Sequence, residues 1–411
     1  MKKLFCLLLA ALVLLPLLPA CQKAEQPSQS APDNTDNTPE DQQAELPEQD
    51  DQPPQEPEHD PDAQPAPEPV RICLTAVGDN LLHNTVSTDC KTEGGGFDYV
   101  PLYHNIAPFA QKADLAFINQ EVPLAGEVGT YPTLSGPAEV APGLKETGFN
   151  IVNLATNHSL DKGQKGLLTS IENIKAQSFD AVLGCYASQE EADAPILVEK
   201  QGVTFGFLSY TYGTNGIPVP SDKPYLVSLI DEGKIEREMA ALRPQCDVLI
   251  VSLHWGNEYQ LTPSDEQRAL GQKVADWGAD IIIGHHPHVL QPMEMLTRQD
   301  GGQTLCVYSL GNFVSGQHKM NTMLGGLLWC ELVFTPGQEG FAFENAGIVP
   351  LVTHYEGKGR DFDIIPLSDY TPELAEKHGI VNFDSKASVE YFQDLATRVL
   401  GDHILTPEQI L

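Results

Sequence analysis

Short apolar runs rich in Val, Ile, Leu and Phe recur along the chain, and most of them end abruptly in a small polar cluster. The runs are Arg71 to Val77, Asp114 to Asn119, Phe149 to Leu154, Thr204 to Tyr210, Asp247 to Leu253, Asp280 to Ile283 and Thr304 to Leu310. Their length and β-branched content predict strands. Between them apolar residues return at helical spacing, over Val100 to Ala113, Ala138 to Thr147, Gln164 to Gln177 and Glu232 to Leu242. Ser264 with Gln267 three residues later predicts a capped helix start, and that helix should run to Trp277 and stop at Gly278. Strands alternating with helices predict an α/β fold in layers rather than a bundle or an all-β barrel. Beyond Leu310 the pattern changes to strand-like Gly326 to Phe334 and Phe343 to Thr353, then to a weakly helical end, Ser385 to Leu400. From Gly357 onward the segment reads as a peripheral cap or an edge addition.

The first residues change the picture of where the fold works. Lys2 and Lys3 precede an apolar run from Leu4 to Leu18 that is short for a bilayer span and ends Leu18-Pro19-Ala20-Cys21. Residues 1–20 are therefore expected to be an export signal. The ending resembles the lipobox of bacterial lipoproteins, with Cys21 as the lipidated residue and the domain held on the extracytoplasmic face of the membrane. Residues 21–69 are acidic and proline-rich, with Lys23 their single lysine or arginine, and large apolar side chains are almost absent. Such a segment buries too little to fold and is expected to be a disordered tether. The folded part is divided into a core domain over 70–335 and a remainder over 336–411 that either extends it or caps it. With a formal charge of −33 over 411 residues, a nucleic-acid partner is excluded. An acidic substrate would be repelled too, unless cations at the site reverse the local field. After Cys21 the cysteines are Cys73, Cys90, Cys185, Cys246, Cys306 and Cys330, none in the close pairs of a zinc knot. Cys73, Cys246, Cys306 and Cys330 lie in strand-like runs and are expected to be small buried hydrophobes.

The polar clusters carry the chemistry. They are Gly78-Asp79-Asn80, Asn119-Gln120-Glu121, Asn157-His158-Ser159-Leu160-Asp161, His254-Trp255-Gly256-Asn257-Glu258-Tyr259 and Gly284-His285-His286-Pro287-His288. In layered α/β folds, loops past the carboxyl ends of strands meet on one edge, where ligand sites form. Imidazoles placed there for packing alone would each leave a nitrogen unsatisfied, and divalent cations supply the missing partner. A pair of ions a few Å apart would take Asp79 on one ion, Glu121 as the bridge, and Asn157, His254, His286 and His288 shared between them. His158 would lie beside them as the proton donor to a leaving group. His286 and His288 alternate on what reads as an extended segment and would face one side, leaving His285 turned away as a supporting residue. Asp161 either orients His158 or caps the following helix. Asn157 is a ligand or that helix's cap. Glu258 contacts either a substrate amine or a histidine behind the ligands. Trp255 and Tyr259 either wall the pocket or pack in the core. Asn119 marks a fixed loop beside Glu121, and Asn312 either closes the rim or makes a turn.

Seven blocks in one order resemble a known family: Ala76-Val77-Gly78-Asp79, Asn119 to Leu124, Gly136 to Val140, Asn153 to His158, His254 to Tyr259, Gly284 to His288 and Ser309-Leu310-Gly311-Asn312-Phe313. Over roughly residues 71 to 315 the chain is similar to the bacterial capsule synthesis CapA family. The resemblance implies a tie to poly-γ-glutamate capsules and a layered α-β-β-α sandwich like that of calcineurin-like metallophosphoesterases. It implies Asp79, Glu121, Asn157, His254, His286 and His288 as metal ligands, with His158 in the acid role. Metallophosphoesterases usually open with Asp-x-His, whereas position 81 here is Leu81. His83 or water would stand in for the missing imidazole, or nothing would.

Two functions fit this reading. One is a hydrolase using one or two divalent ions on a phosphoester or a γ-glutamyl amide; the other is a non-catalytic accessory that grips an anionic capsule polymer within a synthesis complex. Mixed oxygen and nitrogen ligands suit manganese, iron, zinc or magnesium, and leave the choice open.

Overall fold

The computed structural model describes residues Glu68–Leu411; the expected signal, Cys21 and nearly all of the tether lie outside the described residues. The strands, in chain order, are β1 (Val70–Leu81), β2 (Leu115–Gln120), β3 (Ile151–Asn153), β4 (Ala181–Leu183), β5 (Leu197–Lys200), β6 (Val203–Thr211), β7 (Val248–His254), β8 (Ile281–His285), β9 (Met293–Thr297), β10 (Gln303–Val307), β11 (Asn312–Ser315), β12 (Leu324–Phe334), β13 (Ala342–Glu356) and β14 (Arg360–Pro366). They form two sheets. The first runs β14-β13-β12-β1-β2-β3-β4, with β11 also on β1, and the second runs β5-β6-β7-β8-β10-β9.

Side-chain alternation along the strands sorts the layers. On β7, Val248 and Ile250 join the core that includes the first sheet, while Leu249, Val251 and Leu253 pack with Ile235, Met239 and Leu242 of the helix Glu232–Leu242. On β8, Ile281 and Ile283 point inward, and Ile282 faces outward with Leu270 and Val274 of the helix Asp265–Asp276. The helices Ala107–Lys112 and Val140–Thr147 cover the first sheet's other side. The architecture is thus helix, sheet, sheet, helix. Each fully buried Ile or Leu in this interior contributes roughly 1.5–3 kcal/mol. Continued past the apolar residues, the same two-residue period carries Ser252 and His254 of β7, and His285 of β8, onto the inner face. That is why polar clusters at strand ends meet between the sheets.

Several expectations on local structure need correction. The helix expected over Val100 to Ala113 is split into a 3-10 turn at Pro101–Tyr103 and a helix at Ala107–Lys112. Pro108 has no N–H for a continuing helix and sits instead in the first turn of a new one. The capping box of Ser264 and Gln267 forms, but the helical end begins at Val389, capped by Ser388, rather than at Ser385. Of the four cysteines expected to be buried, Cys306 and Cys330 are, while Cys73 and Cys246 are half-buried; the described cysteines are all free. Residues beyond 336 add β13 along β12 and then β14 as the sheet's edge. Among the described residues no helix is long and apolar enough to cross a membrane.

Candidate metal centre

β1 changes partners at the site. It pairs with β12 up to Val77, then with β11, where Asp79 stands opposite Asn312. The switch needs a backbone approach that only glycine permits: a Cβ on Gly78 would lie 1.9 Å from the Gly311 carbonyl oxygen. Gly284 plays the same part before the histidines, since its Cβ would lie 2.0 Å from the Tyr308 carbonyl oxygen.

Asp79 is fully buried. Its Oδ1 accepts from Asn119 Nδ2 at 2.8 Å, and its Oδ2 lies 3.0 Å from His288 Nδ1. His288 Nδ1 also lies 3.1 Å from Asn312 Oδ1. Both neighbours are acceptors, so the proton of this imidazole sits on Nδ1. Nε2 faces the other acid, 3.7 Å from Glu121 Oε1. A buried amide chain backs the acid: Asn119 Oδ1 accepts from Asn153 Nδ2 at 2.7 Å, and Asn153 Oδ1 accepts from Ser209 Oγ on the facing sheet.

Glu121 follows β2 and is equally buried, yet neither carboxylate oxygen has a hydrogen-bond partner. His254 Nε2 is 3.9 Å from Glu121 Oε1 and 2.9 Å from Asn157 Oδ1. Asn157 is therefore turned toward the cluster instead of capping a helix. The His254 and His286 rings are 4.9 Å apart, and His286 and His288 are 5.7 Å apart. His158 donates from Nδ1 to Asp161 Oδ2 at 2.7 Å, and that oxygen also takes the Leu134 N–H at 2.6 Å. Asp161 thus fixes the His158 ring.

Burial pushes Asp79 upward, but the His288 hydrogen bond and charge, with help from His285 and Asn119, outweigh it and hold the carboxyl below its ordinary range. Glu121 has no such help. Burial, then the charges of Asp79, Glu258 and Asp161, drive it well above the usual carboxylate value. Burial also pushes His254 well down, His285 to about 4 and His286 to about 3. Without a cation, burial favours the neutral forms of Glu121, His254, His285 and His286.

The donor set fits a divalent ion. Both Glu121 oxygens and His254 Nδ1, His285 Nδ1 and Nε2, and His286 Nδ1 are buried without partners. An uncompensated buried polar atom costs about 1–3 kcal/mol, and a carboxylate more. Two groups bring ligand atoms within 4.8 Å of one another: Asp79, Glu121 and His288; and Glu258, His286 and His288.

Sequence expectations and geometry part in places. His286 and His288 do not lie on an extended segment: their φ angles are +97° and +58°, and this turn gathers them. Left-handed backbone costs about 1–2 kcal/mol per such residue, which the surrounding structure must offset. His285, expected to turn away, stacks on Phe117 of the facing sheet at 5.7 Å with Nδ1 3.7 Å from Asp79 Oδ1, so it supports the acid from beneath. Leu81 is buried in the core, and His83 Nδ1 accepts the Gly316 N–H at 3.2 Å. Glu258 stands at ligand distance rather than behind the histidines. Trp255 packs in the outer core and donates to the Tyr308 carbonyl at 3.0 Å. Asn312 makes neither rim nor plain turn; it holds His288.

Two residues were missed. Tyr212 lies over His286 with ring centres 4.6 Å apart, and Asn215 accepts from Asn157 Nδ2 at 3.2 Å. Their cluster, Tyr212-Gly213-Thr214-Asn215-Gly216, follows the apolar run of β6. The rule that found the other clusters would have found this one.

Fold and site together define a two-sheet α/β protein with a buried acid and imidazole cluster at one sheet edge. The family model of the bacterial capsule synthesis protein PGA_cap matches residues 73–317, and the chain belongs to that family. It is 35% identical over 257 residues to the PGA biosynthesis protein CapA of Bacillus subtilis, covering 59% of this chain and 62% of that one. It is 31% identical over 258 residues to the capsule biosynthesis protein CapA of Bacillus anthracis, covering 60% of each. The match thus spans about three fifths of the length of these curated relatives. Among solved structures, a 5'-nucleotidase precursor from Thermus thermophilus superposes with a TM-score of 0.42 at 13% identity, over 80% of this chain and 59% of that one. The calcineurin-like phosphoesterase YfkN from Bacillus subtilis gives 0.38 at 14%, over 67% and 91%. At such TM-scores the likeness is loose.

Proposed function

We propose that this chain is a metal-dependent hydrolase of poly-γ-glutamate or related surface-polymer metabolism, tethered to the outer face of the cell membrane through a lipid on Cys21. It acts on a phosphoester or a γ-glutamyl amide. The observation that carries this reading is the set of buried, unpartnered ligand atoms on Glu121, His254 and His286. Asp79, Glu121, Asn157, His254, His286 and His288, with Glu258 beside them, would hold one or two ions of manganese, iron, zinc or magnesium. When bound, such ions supply Lewis-acid polarisation of an anionic substrate and a nucleophile from water at neutral pH.

The chain's own groups do the rest. Asp161 accepts the hydrogen bond of His158 Nδ1–H and fixes the ring, so Nε2 is the ring atom free to pass a proton to the leaving group. Asn119 and Asn312 keep Asp79 and His288 in place, and Tyr212 covers His286.

The test is elemental analysis of the purified chain, with a screen of chromogenic phosphoesters and γ-glutamyl peptides in Mn²⁺, Zn²⁺ or Mg²⁺. Turnover lost in His158→Ala is expected. Metal at trace level only, with His286→Ala changing nothing, would overturn the reading. The absence of an imidazole at Leu81 favours a second reading, an accessory that binds anionic polymer on a weakly held ion within a capsule synthesis complex. Polymer binding with metal present and no turnover would select it.

A further inference from the structure

His288 is common to both groups of residues that could hold a metal ion, Asp79 with Glu121 and Glu258 with His286. Its backbone is left-handed at φ +58°, a conformation that persists only where the surroundings impose it. What holds its ring leads outward, to a part of the chain that reads as peripheral in the sequence.

Two neighbours flank the imidazole on that side. Asn312 Oδ1 lies 3.1 Å from His288 Nδ1, and the Tyr259 ring centre lies 6.2 Å from that of His288. Both depend on residues 316–319, which form neither helix nor strand. Gln317 Oε1 accepts from Asn312 Nδ2 at 2.9 Å, which turns the Asn312 oxygen toward the histidine, and Gln317 Nε2 reaches the Tyr259 hydroxyl at 3.4 Å. Lys319 Nζ sits 3.3 Å from the centre of the Tyr259 ring. One short segment thus fixes both neighbours of His288.

That segment is held in turn from the C-terminal part of the chain. Phe383 stacks on His318, with ring centres 3.7 Å and planes 9° apart. Asp384 Oδ2 accepts the Met320 N–H at 2.8 Å, and its Oδ1 takes the Ser385 N–H at 2.7 Å. Those hydrogen bonds, Met320's first, keep the carboxyl below its ordinary value. The Phe383 and Asp384 N–H groups donate to the Ile380 carbonyl at 2.8 and 2.9 Å, and Ile380 is fully buried. The two side chains themselves are at the surface, Phe383 at 43% exposure, so removing them leaves the core intact.

We propose that Phe383 and Asp384 are positioning residues of the metal centre, holding residues 317–320 so that Asn312 and Tyr259 keep His288 in place for an ion. The inference rests on the metal reading given under the proposed function. Direct partners of a metal-bound histidine commonly govern affinity by about 10–100-fold. Phe383 and Asp384 act one step further out, so each should govern it by about threefold to tenfold.

The experiment is calorimetric titration of the full chain with Mn²⁺ and with Zn²⁺, beside thermal melts of the metal-free proteins. Expected are threefold to tenfold weaker binding, by the estimate of about that size above, in Phe383→Ala and in Asp384→Ala, and roughly tenfold or more in the doubly substituted chain, with metal-free melting temperatures close to wild type. Phe383→Tyr keeps a stacking ring and should keep wild-type affinity. Val381→Ala, at an exposed position in the same turn, should bind as wild type. In a Gln317→Leu background the link to Asn312 is already cut, so the Phe383→Ala loss should fall below about twofold. Wild-type affinity in the doubly substituted chain would overturn the proposal. So would a Val381→Ala loss equal to that of Phe383→Ala, no recovery in Phe383→Tyr, or an undiminished Phe383→Ala loss in the Gln317→Leu background. A wild-type chain that takes up neither ion would sink the metal reading and this inference with it. A wild-type chain that binds, with the doubly substituted chain binding equally, sinks the inference alone.

Discussion

His254, His285, His286 and His288 are buried beside Asp79 and Glu121, whereas His354 and His378 are buried around β13 among Tyr355, Tyr370 and Phe392. In the second group His354 Nδ1 meets the Tyr370 hydroxyl at 3.1 Å, and His378 Nδ1 accepts the Ile380 N–H at 3.2 Å. The His378 ring packs edge-on against His354 and Tyr355 at 5.2 and 5.0 Å, and among the described residues no carboxylate bonds to either imidazole. Burial pushes the rings down in both groups. What separates them is company. The second group also holds a buried nitrogen without a partner, His378 Nε2, but it lies among aromatic faces and neutral partners; the first sets its orphaned nitrogens beside buried acids, and that is a demand for positive charge.

The comparison can be broken hardest at the backbone under the first group. Gly284→Ala places a Cβ 2.0 Å from the Tyr308 carbonyl oxygen, whereas Gly213→Ala meets nothing within 4 Å. Steric overlap of that kind with backbone belongs to the rare class costing more than about 4 kcal/mol. Chemical denaturation should show Gly284→Ala largely unfolded and Gly213→Ala close to wild type. Equal stability would mean that the strands at His285 are free to move apart. Next comes metal. An ion at a hundredfold excess over its Kd adds about 2.7 kcal/mol to stability. Thermal melts with Mn²⁺ or Zn²⁺ against chelator should therefore separate by several degrees in wild type and in His378→Asn, but not in His286→Ala. A shift kept in His286→Ala and lost in His378→Asn would reverse the roles of the two groups.

The first group was legible in the sequence because it obeys local rules: an apolar strand, then a ligand at its carboxyl end, with glycine at Gly78 and Gly284 where chains cross. His254 was found because its cluster follows the apolar run of β7. The path after Gly284 was not legible, because an extended chain and the left-handed turn at His286 and His288 leave similar side-chain orders. The supporting amides were less visible still. Asn312 matters only because β11 lies beside β1 in register, and that pairing joins residues far apart in sequence. The short strands β4, β5, β9, β11 and β14 escaped for a related reason: β4 has three residues and β14 carries charge along an edge, so pairing partners rather than composition decide them. The second histidine group gave no signal, since His354 and His378 meet through the fold of the C-terminal segment.

A smaller effect tests the second group by pH. Burial, aided by His354, holds His378 at about 3, whereas an imidazole in the unfolded chain titrates near 6.5. Between those values the unfolded chain binds the proton and the folded one does not. Stability is therefore whole above about pH 6.5 and drains as the pH falls toward 3. From pH 7 to pH 5 this ring accounts for a loss of about 2 kcal/mol, at 1.36 kcal/mol per unit. His378→Asn keeps an acceptor for the Ile380 N–H and does not titrate. Urea denaturation at both pH values should show a smaller acid loss in the variant; the site histidines titrate in both proteins and cancel. Identical losses would mean that His378 protonates without cost in the fold.

The smallest expected effect bears on whether any charge acts on that second group. Lys377 Nζ lies 3.8 Å from Glu356 Oε1, with the side chains 64% and 39% exposed. Exposed pairs of this kind contribute about 0–1 kcal/mol, and salt screens them. Lys377→Gln should therefore change stability at pH 7 by less than about 0.5 kcal/mol, with no added sensitivity to salt. A larger loss that fades in high salt would mean that the Glu356 charge, once freed of its lysine, reaches His354 and His378. The second group would then be governed by electrostatics like the first, and carboxylate company would no longer tell the two apart.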